Sequence, residues 1–205
     1  MLKTAEMRWF YTGKVPENVQ HWFEKELPGD NLRSRDTRED VYLWIPQCEF
    51  LGVKHRESRL EIKWRQQALG KWPLSDRIVG NAEIWIKWLC VDPESDTMLP
   101  TNVMTQPSWI GVQKQRQQRI YTYPPEQQVQ PAPADEWLSS GGGVELTQLR
   151  VANQDWWTLG IEVFGEGRDL LDILQAIATI VTASYPGETM TAQHSFGYPA
   201  WLAKL

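Results

Sequence analysis

The sequence predicts a β-rich α+β fold: an eight-stranded antiparallel β-barrel with helices packed outside it. Three observations point there. The run Arg59-Leu60-Glu61-Ile62-Lys63-Trp64-Arg65 alternates without a break between ionic and apolar side chains. Successive side chains on a strand point to opposite faces, so one face of this segment is wholly charged. The same alternation then recurs in several other segments, as expected of a sheet that repeats one element. Only two segments carry helical spacing, and both have apolar residues that can cover a sheet from outside.

The elements follow in order. Met7 to Thr12 reads as a first strand, with Met7, Trp9 and Tyr11 on one face. Pro16 opens a helix, because its fixed φ suits a first turn. Val19, Trp22, Phe23 and Leu27 keep helical spacing, and Pro28-Gly29 stops it. Asp40 to Ile45 is a second strand, with Val41, Leu43 and Ile45 opposite Asp40, Tyr42 and Trp44. Leu51 to Glu57 is a third, with Lys54 and Arg56 on one face, and Ser58 marks a tight junction before the fourth, Arg59 to Arg65. Ala82 to Leu89 is a fifth: Ile84, Ile86 and Trp88 face one way, Glu83, Trp85 and Lys87 the other. Trp109 to Tyr121 is a sixth, where the run Gln113 to Arg119 blurs the alternation and predicts a change of facing at a bulge. Residues 123–140 form an exposed loop rich in proline and glutamine. Val144 to Val151 and Trp156 to Phe164 are the last two strands, Arg168 to Thr182 is a helix, and the tail from Ser184 is expected to be mostly irregular.

Composition narrows the function. With 205 residues and 41% hydrophobic content, the chain reads as one globular domain. A net charge of −5 argues against generic nucleic-acid binding, which needs an electropositive surface, while leaving room for a basic interior. The two cysteines, Cys48 and Cys90, have no metal-ligand spacing and suit a reducing compartment. No signal peptide is read at the N-terminus, and the most apolar stretch, Leu170 to Ala183, is too short to span a bilayer. A cytoplasmic protein without membrane contact is the expectation. Gly141-Gly142-Gly143 precedes a strand and lacks the Lys-Ser/Thr of a phosphate loop, and no nucleophile-elbow motif occurs.

The charged strand faces gather Glu6, Arg8, Asp40, Lys54, Arg56, Arg59, Glu61, Lys63, Arg65, Glu83, Lys87, Arg119, Glu145 and Glu162. Two arrangements are open. Antiparallel sheets commonly solvate one face, which would put these residues outside. If the helices cover the apolar faces from outside, the charges turn inward. Arginine's planar fork then suits phosphate or carboxylate oxygens. Interleaved carboxylates can hold a hard divalent ion such as Mg2+ or Mn2+.

The runs Asp40-Val41-Tyr42-Leu43, Leu51-Gly52-Val53-Lys54-His55-Arg56-Glu57 and Leu60-Glu61-Ile62-Lys63-Trp64-Arg65 resemble the middle of a CYTH domain. Val144-Glu145-Leu146-Thr147-Gln148-Leu149 and Trp157-Thr158-Leu159-Gly160-Ile161-Glu162-Val163 resemble its closing strands, and Ser195-Phe196-Gly197-Tyr198-Pro199 its C-terminal end. The resemblance, to the triphosphate tunnel metalloenzymes, implies an antiparallel tunnel whose basic lining binds a triphosphate and whose carboxylates bind a divalent metal. It implies phosphate contacts from Arg8, Lys54, Arg56, Lys63, Arg65, Lys87 and Arg119. It implies Glu6, Glu61, Glu145 and Glu162 as partners of Mg2+ or Mn2+.

One departure matters. The family opens with Glu-x-Glu-x-Lys, whereas Glu6-Met7-Arg8-Trp9-Phe10 keeps only the first carboxylate. An arginine beside a metal site repels the metal, so the expected function is polyphosphate binding with weak metal-dependent phosphohydrolase activity at most. The alternative is a non-enzymatic barrel that uses its polar face and loops to bind proteins or other small ligands.

Overall fold

The computed structural model describes residues 1–29, 32–56, 59–91, 101–124, 128–133, 138–165 and 169–205. Its strands are β1 (Leu2–Thr12), β2 (Leu32–Leu43), β3 (Leu51–Arg56), β4 (Arg59–Ser75), β5 (Ile78–Val91), β6 (Trp109–Thr122), β7 (Gln130–Ala132), β8 (Ser140–Val151) and β9 (Gln154–Gly165). They join in the order β2-β3-β4-β5-β1-β9-β8-β6, and β6 pairs back onto β2. The result is a closed antiparallel barrel of eight strands, as the alternation predicts. Closure gives each of the eight strands a neighbour on both sides, though β2 meets β3 only at Val41 and Tyr42 and β4 meets β3 only from Arg59 to Trp64. The ninth strand, β7, lies outside the ring on Ile120–Thr122 of β6, within the segment expected to be loop.

Two layers of packing follow from the period-two pattern. Outward residues of β1, β8 and β9, including Ala5, Met7, Trp9, Leu146, Leu159, Ile161 and Val163, are buried under helices. One is α1 (Glu17–His21), which widens into a π-helical turn over Trp22–Glu26. The principal cover comes from Ile173, Leu174, Ile177, Ala178 and Val181 of a helix over Leu170–Ala183. A short helix α2 (Thr101–Met104) precedes it in the chain, so it is α3. Asp169 caps α3 by accepting from the Leu171 amide at 2.8 Å. Each fully buried aliphatic side chain contributes about 1.5–3 kcal/mol relative to exposure. With the apolar faces covered, the charged faces point inward.

The tail departs from expectation. Past Ala183 it forms a 3-10 turn at Ala192–His194 and a helix α4 (Tyr198–Leu202). β1 pairs with β5 only from Leu2 to Glu6. Beyond that point the strands part, and the tail fills the seam. Met190 exchanges backbone hydrogen bonds with Arg77 and Val79, and the Phe196 amide donates to the Arg8 carbonyl at 3.0 Å. Trp201 and Leu202 then pack among the inward residues Phe10, Tyr42, Val112 and Leu149, closing one end of the barrel. Phe10 lies between Phe196 and Trp201, with ring centroids 5.4 and 5.1 Å away. Local pattern did not reveal this helix, because its five residues are stabilised by contacts with distant strands.

Three further differences have plain causes. β4 and β5 run longer than their alternation, because register shifts after Arg65, Ala68 and Pro73 absorb the residues that break the pattern. Gly70, at one of these shifts, has φ +82°, which favours glycine. The expected facing change in β6 does not occur: its register with β8 runs unbroken from Gln113 to Thr122. Its alternation looks muddled because the outward Gln113 and Gln115 are exposed while the inward Lys114 and Arg116 are charged. The expected turn at Ser58, the strand end at Glu57 and the helix start at Arg168 lie outside the described residues. Among the described residues no helix is long and apolar enough to cross a membrane, and Cys48 and Cys90 are free thiols.

Candidate functional site

Inside the barrel, next to α4, lies a cavity of about 140 Å³. Its cations are Arg8 from β1, Arg38 from β2, Lys54 and Arg56 from β3, Lys63 from β4, Lys87 from β5, and Lys114 and Arg116 from β6. Its carboxylates are Glu6, Glu61, Glu145 and Glu162, so cations lead by eight to four. Tyr42, Trp85 and Tyr198 supply aromatic walls. The side chains converge because their strands pair in register: Lys54 opposite Glu61, Lys63 opposite Lys87, Arg38 opposite Lys114, and Glu6 opposite Glu162.

The carboxylates are shared out among the cations. Glu61 lies 2.9 Å from both Lys54 and Arg56, and 3.5 Å from Lys87. Arg8 donates to Glu145 at 2.9 Å, and Arg116 approaches the same carboxylate at 3.5 Å. Gly160 makes room for Arg8: a Cβ there would stand 2.5 Å from the guanidinium carbon. Lys63 bonds Glu6 and reaches Glu162 at 3.2 Å. The fully buried Asp40 stands behind this lining, accepting from Lys114 at 2.9 Å and Arg38 at 3.1 Å. Counting Asp40, positive charge still exceeds negative by three.

This surplus marks the titration of the groups. Burial, then the neighbouring Lys114, holds Lys54 down at about 8, against attraction from Asp40 and Glu61. Burial, helped by Arg38, likewise holds Lys114 at about 8. Burial works to raise Asp40 and Glu61, but Lys114, Lys54 and Arg38 outweigh it for the first and Lys54, Lys87 and Arg56 for the second, and both fall to about 2. Glu145 and Glu162 are likewise held below the ordinary carboxylate range against burial, by Arg8 and by Lys63 respectively. Burial also opposes the charges of Arg8 and Lys63, yet their carboxylate neighbours keep both above their ordinary values. Two buried lysines held near 8 therefore lie together in this cleft of surplus cations. Two buried donors on the lining, Arg8 Nε and Arg56 Nε, have no protein partner among the described residues.

Of the residues read from the sequence, Glu6, Arg8, Lys54, Arg56, Glu61, Lys63, Lys87, Glu145 and Glu162 meet at this cavity. Arg65 does not: it pairs with Glu83 at 2.6 Å and borders a separate cavity of about 300 Å³ near Asn81 and Lys204. Arg119 does not either. It faces outward, where its Nε and Nη2 donate to the Phe23 carbonyl at 2.8 and 2.6 Å, holding the π-helical turn. Arg38, Lys114 and Arg116 were missed. Lys114 and Arg116 share one parity and Arg119 has the other, so an unbroken strand must turn the pair and Arg119 to opposite faces.

A larger groove of about 1040 Å³ lies outside, between α1 and strands β2, β6 and β8. Its lining balances both charge signs among several glutamines and shares only Arg38 and Lys114 with the inner cavity. It lacks the concentration of cations that distinguishes the inner site.

No protein-family model matches the chain, and no curated protein matches it in sequence.

Proposed function

We propose that the barrel interior binds a small polyanion of the polyphosphate class, such as inorganic tripolyphosphate or the phosphate tail of a nucleoside triphosphate. The observation that carries this reading is the convergence of eight lysine and arginine side chains from six strands on one small cavity. Closely spaced phosphoryl oxygens can meet several of these donors at once, and charge-assisted hydrogen bonds are roughly twice as strong as neutral ones. Drug-sized ligands occupy cavities of about 300–1,000 Å³. A cavity of about 140 Å³ suits the phosphate chain and leaves an attached nucleoside outside.

The CYTH-like runs support the same ligand class. Arg8 in place of a carboxylate favours binding over turnover, so any Mg2+- or Mn2+-dependent hydrolysis is slow in this reading. The inward direction of the charged faces argues against a flat protein surface as their partner. Calorimetry with phosphate, pyrophosphate and tripolyphosphate tests the proposal. Affinity should rise along the series, and equal or absent binding across it would refute the reading.

A further inference from the structure

Glu6 on β1 is the direct cross-strand partner of Glu162 on β9, and on its other side it faces Glu83 on β5. Carboxylates placed directly opposite one another repel and need cations between them. A divalent ion would be one solution, taking hard oxygen ligands at about 2.0–2.6 Å. The donor set does not fit that solution. Lys63 crosses from β4, bonds the Glu6 carboxylate and stands 3.2 Å from Glu162. Arg65 takes Glu83 at 2.6 Å. The other carboxylates of the cavity are also engaged, Glu61 by Lys54 and Arg56, Glu145 by Arg8. Among the described residues no three His, Cys, Asp or Glu side chains are grouped so that they could hold a metal ion.

We infer that the Lys63 ammonium is a tethered cation that occupies the place between Glu6 and Glu162, closing this carboxylate pair to divalent metal in the native chain. An ammonium carries three donors and no acceptor, so it can bridge two carboxylates and cannot itself coordinate a metal. Besides the two carboxylates, the Trp85 ring attracts it. Lys63 Nζ lies 5.5 Å from the centroid of the Trp85 ring, and its strand position is flanked by Gly52 and Lys87. A metal entering between Glu6 and Glu162 must expel an ammonium that has Lys87 and Arg8 on the same lining. The inference concerns the carboxylates alone and stands apart from the polyanion reading.

The test is a Mn2+ titration of the full chain followed by electron paramagnetic resonance, with no phosphate present. The native chain should leave the spectrum of free Mn2+ unchanged. Lys63→Met, or Lys63→Gln if the first variant does not fold, should take up one Mn2+ at least about tenfold more tightly, equivalent to about 1.4 kcal/mol. Adding Glu162→Gln should abolish that gain. Uptake of one Mn2+ by the native chain that disappears in Glu162→Gln overturns the inference. So does a folded Lys63 variant with no gain.

Discussion

Raising the pH from 7 to 9 should weaken polyanion binding by about two orders of magnitude. The cause is the pair Lys54 and Lys114, each held near 8 against an ordinary value of 10.5. In the free barrel each is about nine-tenths charged at pH 7 and about one-tenth charged at pH 9. Bound phosphate oxygens restore both toward 10.5, so at pH 9 the complex must take up nearly two protons that the free barrel already holds at pH 7. Each lysine then contributes about tenfold to the difference, and the two together about 100-fold. Stability of the free barrel moves the other way. Between about 8 and 10.5 the folded chain binds fewer protons at these sites than the unfolded chain, so this term raises stability as pH rises. The assay is calorimetry with tripolyphosphate at pH 7, 8 and 9 and fixed ionic strength, in two buffers of different ionisation enthalpy to count protons. Lys114→Met measured alongside cancels the ligand's own protonation. Identical pH dependence in the native chain and the variant would refute the reasoning.

Other outcomes separate site from scaffold. Arg56→Ala should weaken tripolyphosphate binding by about tenfold or more, the loss of one charge-assisted contact, while circular dichroism shows an unchanged fold. Arg119→Leu should do the reverse, leaving affinity intact and lowering urea-unfolding stability by about 1.5–3 kcal/mol through the lost bonds to Phe23. Trp201→Ala should cost about 3–5 kcal/mol in the same denaturation measurement, because a fully buried indole leaves a void at the closed end of the barrel. Asp40 and Glu61, both held near 2, should contribute stability that is present above pH 4.5 and lost as pH falls toward 2, and Asp40→Asn should flatten that acid limb of unfolding.

The barrel was legible because its strands carry a strict period of two, and a slip of one residue would turn every charge outward. That parity put Lys54 with Arg56, Glu61 with Lys63, and Lys87 on the charged faces of their strands, while whether those faces point inward or to solvent depends on the closed ring and its outer helices. In β6 the expected change of facing set that parity aside, which admits Arg119 to the lining and hides Lys114 and Arg116, whereas the unbroken register keeps parity throughout. Arg38 was missed for another reason: the strand was started at Asp40, and the two residues share a face only if it begins earlier. The closing role of Trp201 was not legible at all. Nothing local distinguishes Tyr198 to Leu202 from an irregular tail, since what stabilises them is Phe10, Tyr42 and Leu149 from three other strands. The ion-pair assignments were equally hidden, because Lys63 finds Glu6 and Glu162 only after β1 has been placed between β5 and β9.

The seam between β1 and β5 constrains the order of assembly. A ribosome delivers β1 before the other barrel strands, yet its neighbours in the ring are β5 and β9, and the residues that complete the seam, Met190 to Phe196, come after all of these strands. Ring closure between β2 and β6 likewise joins distant parts of the chain. Such non-local pairing makes folding slow and leaves strand edges exposed to other chains meanwhile. A nascent chain paused before residue 190 would already hold all the barrel strands, with an open slot where β1 and β5 part.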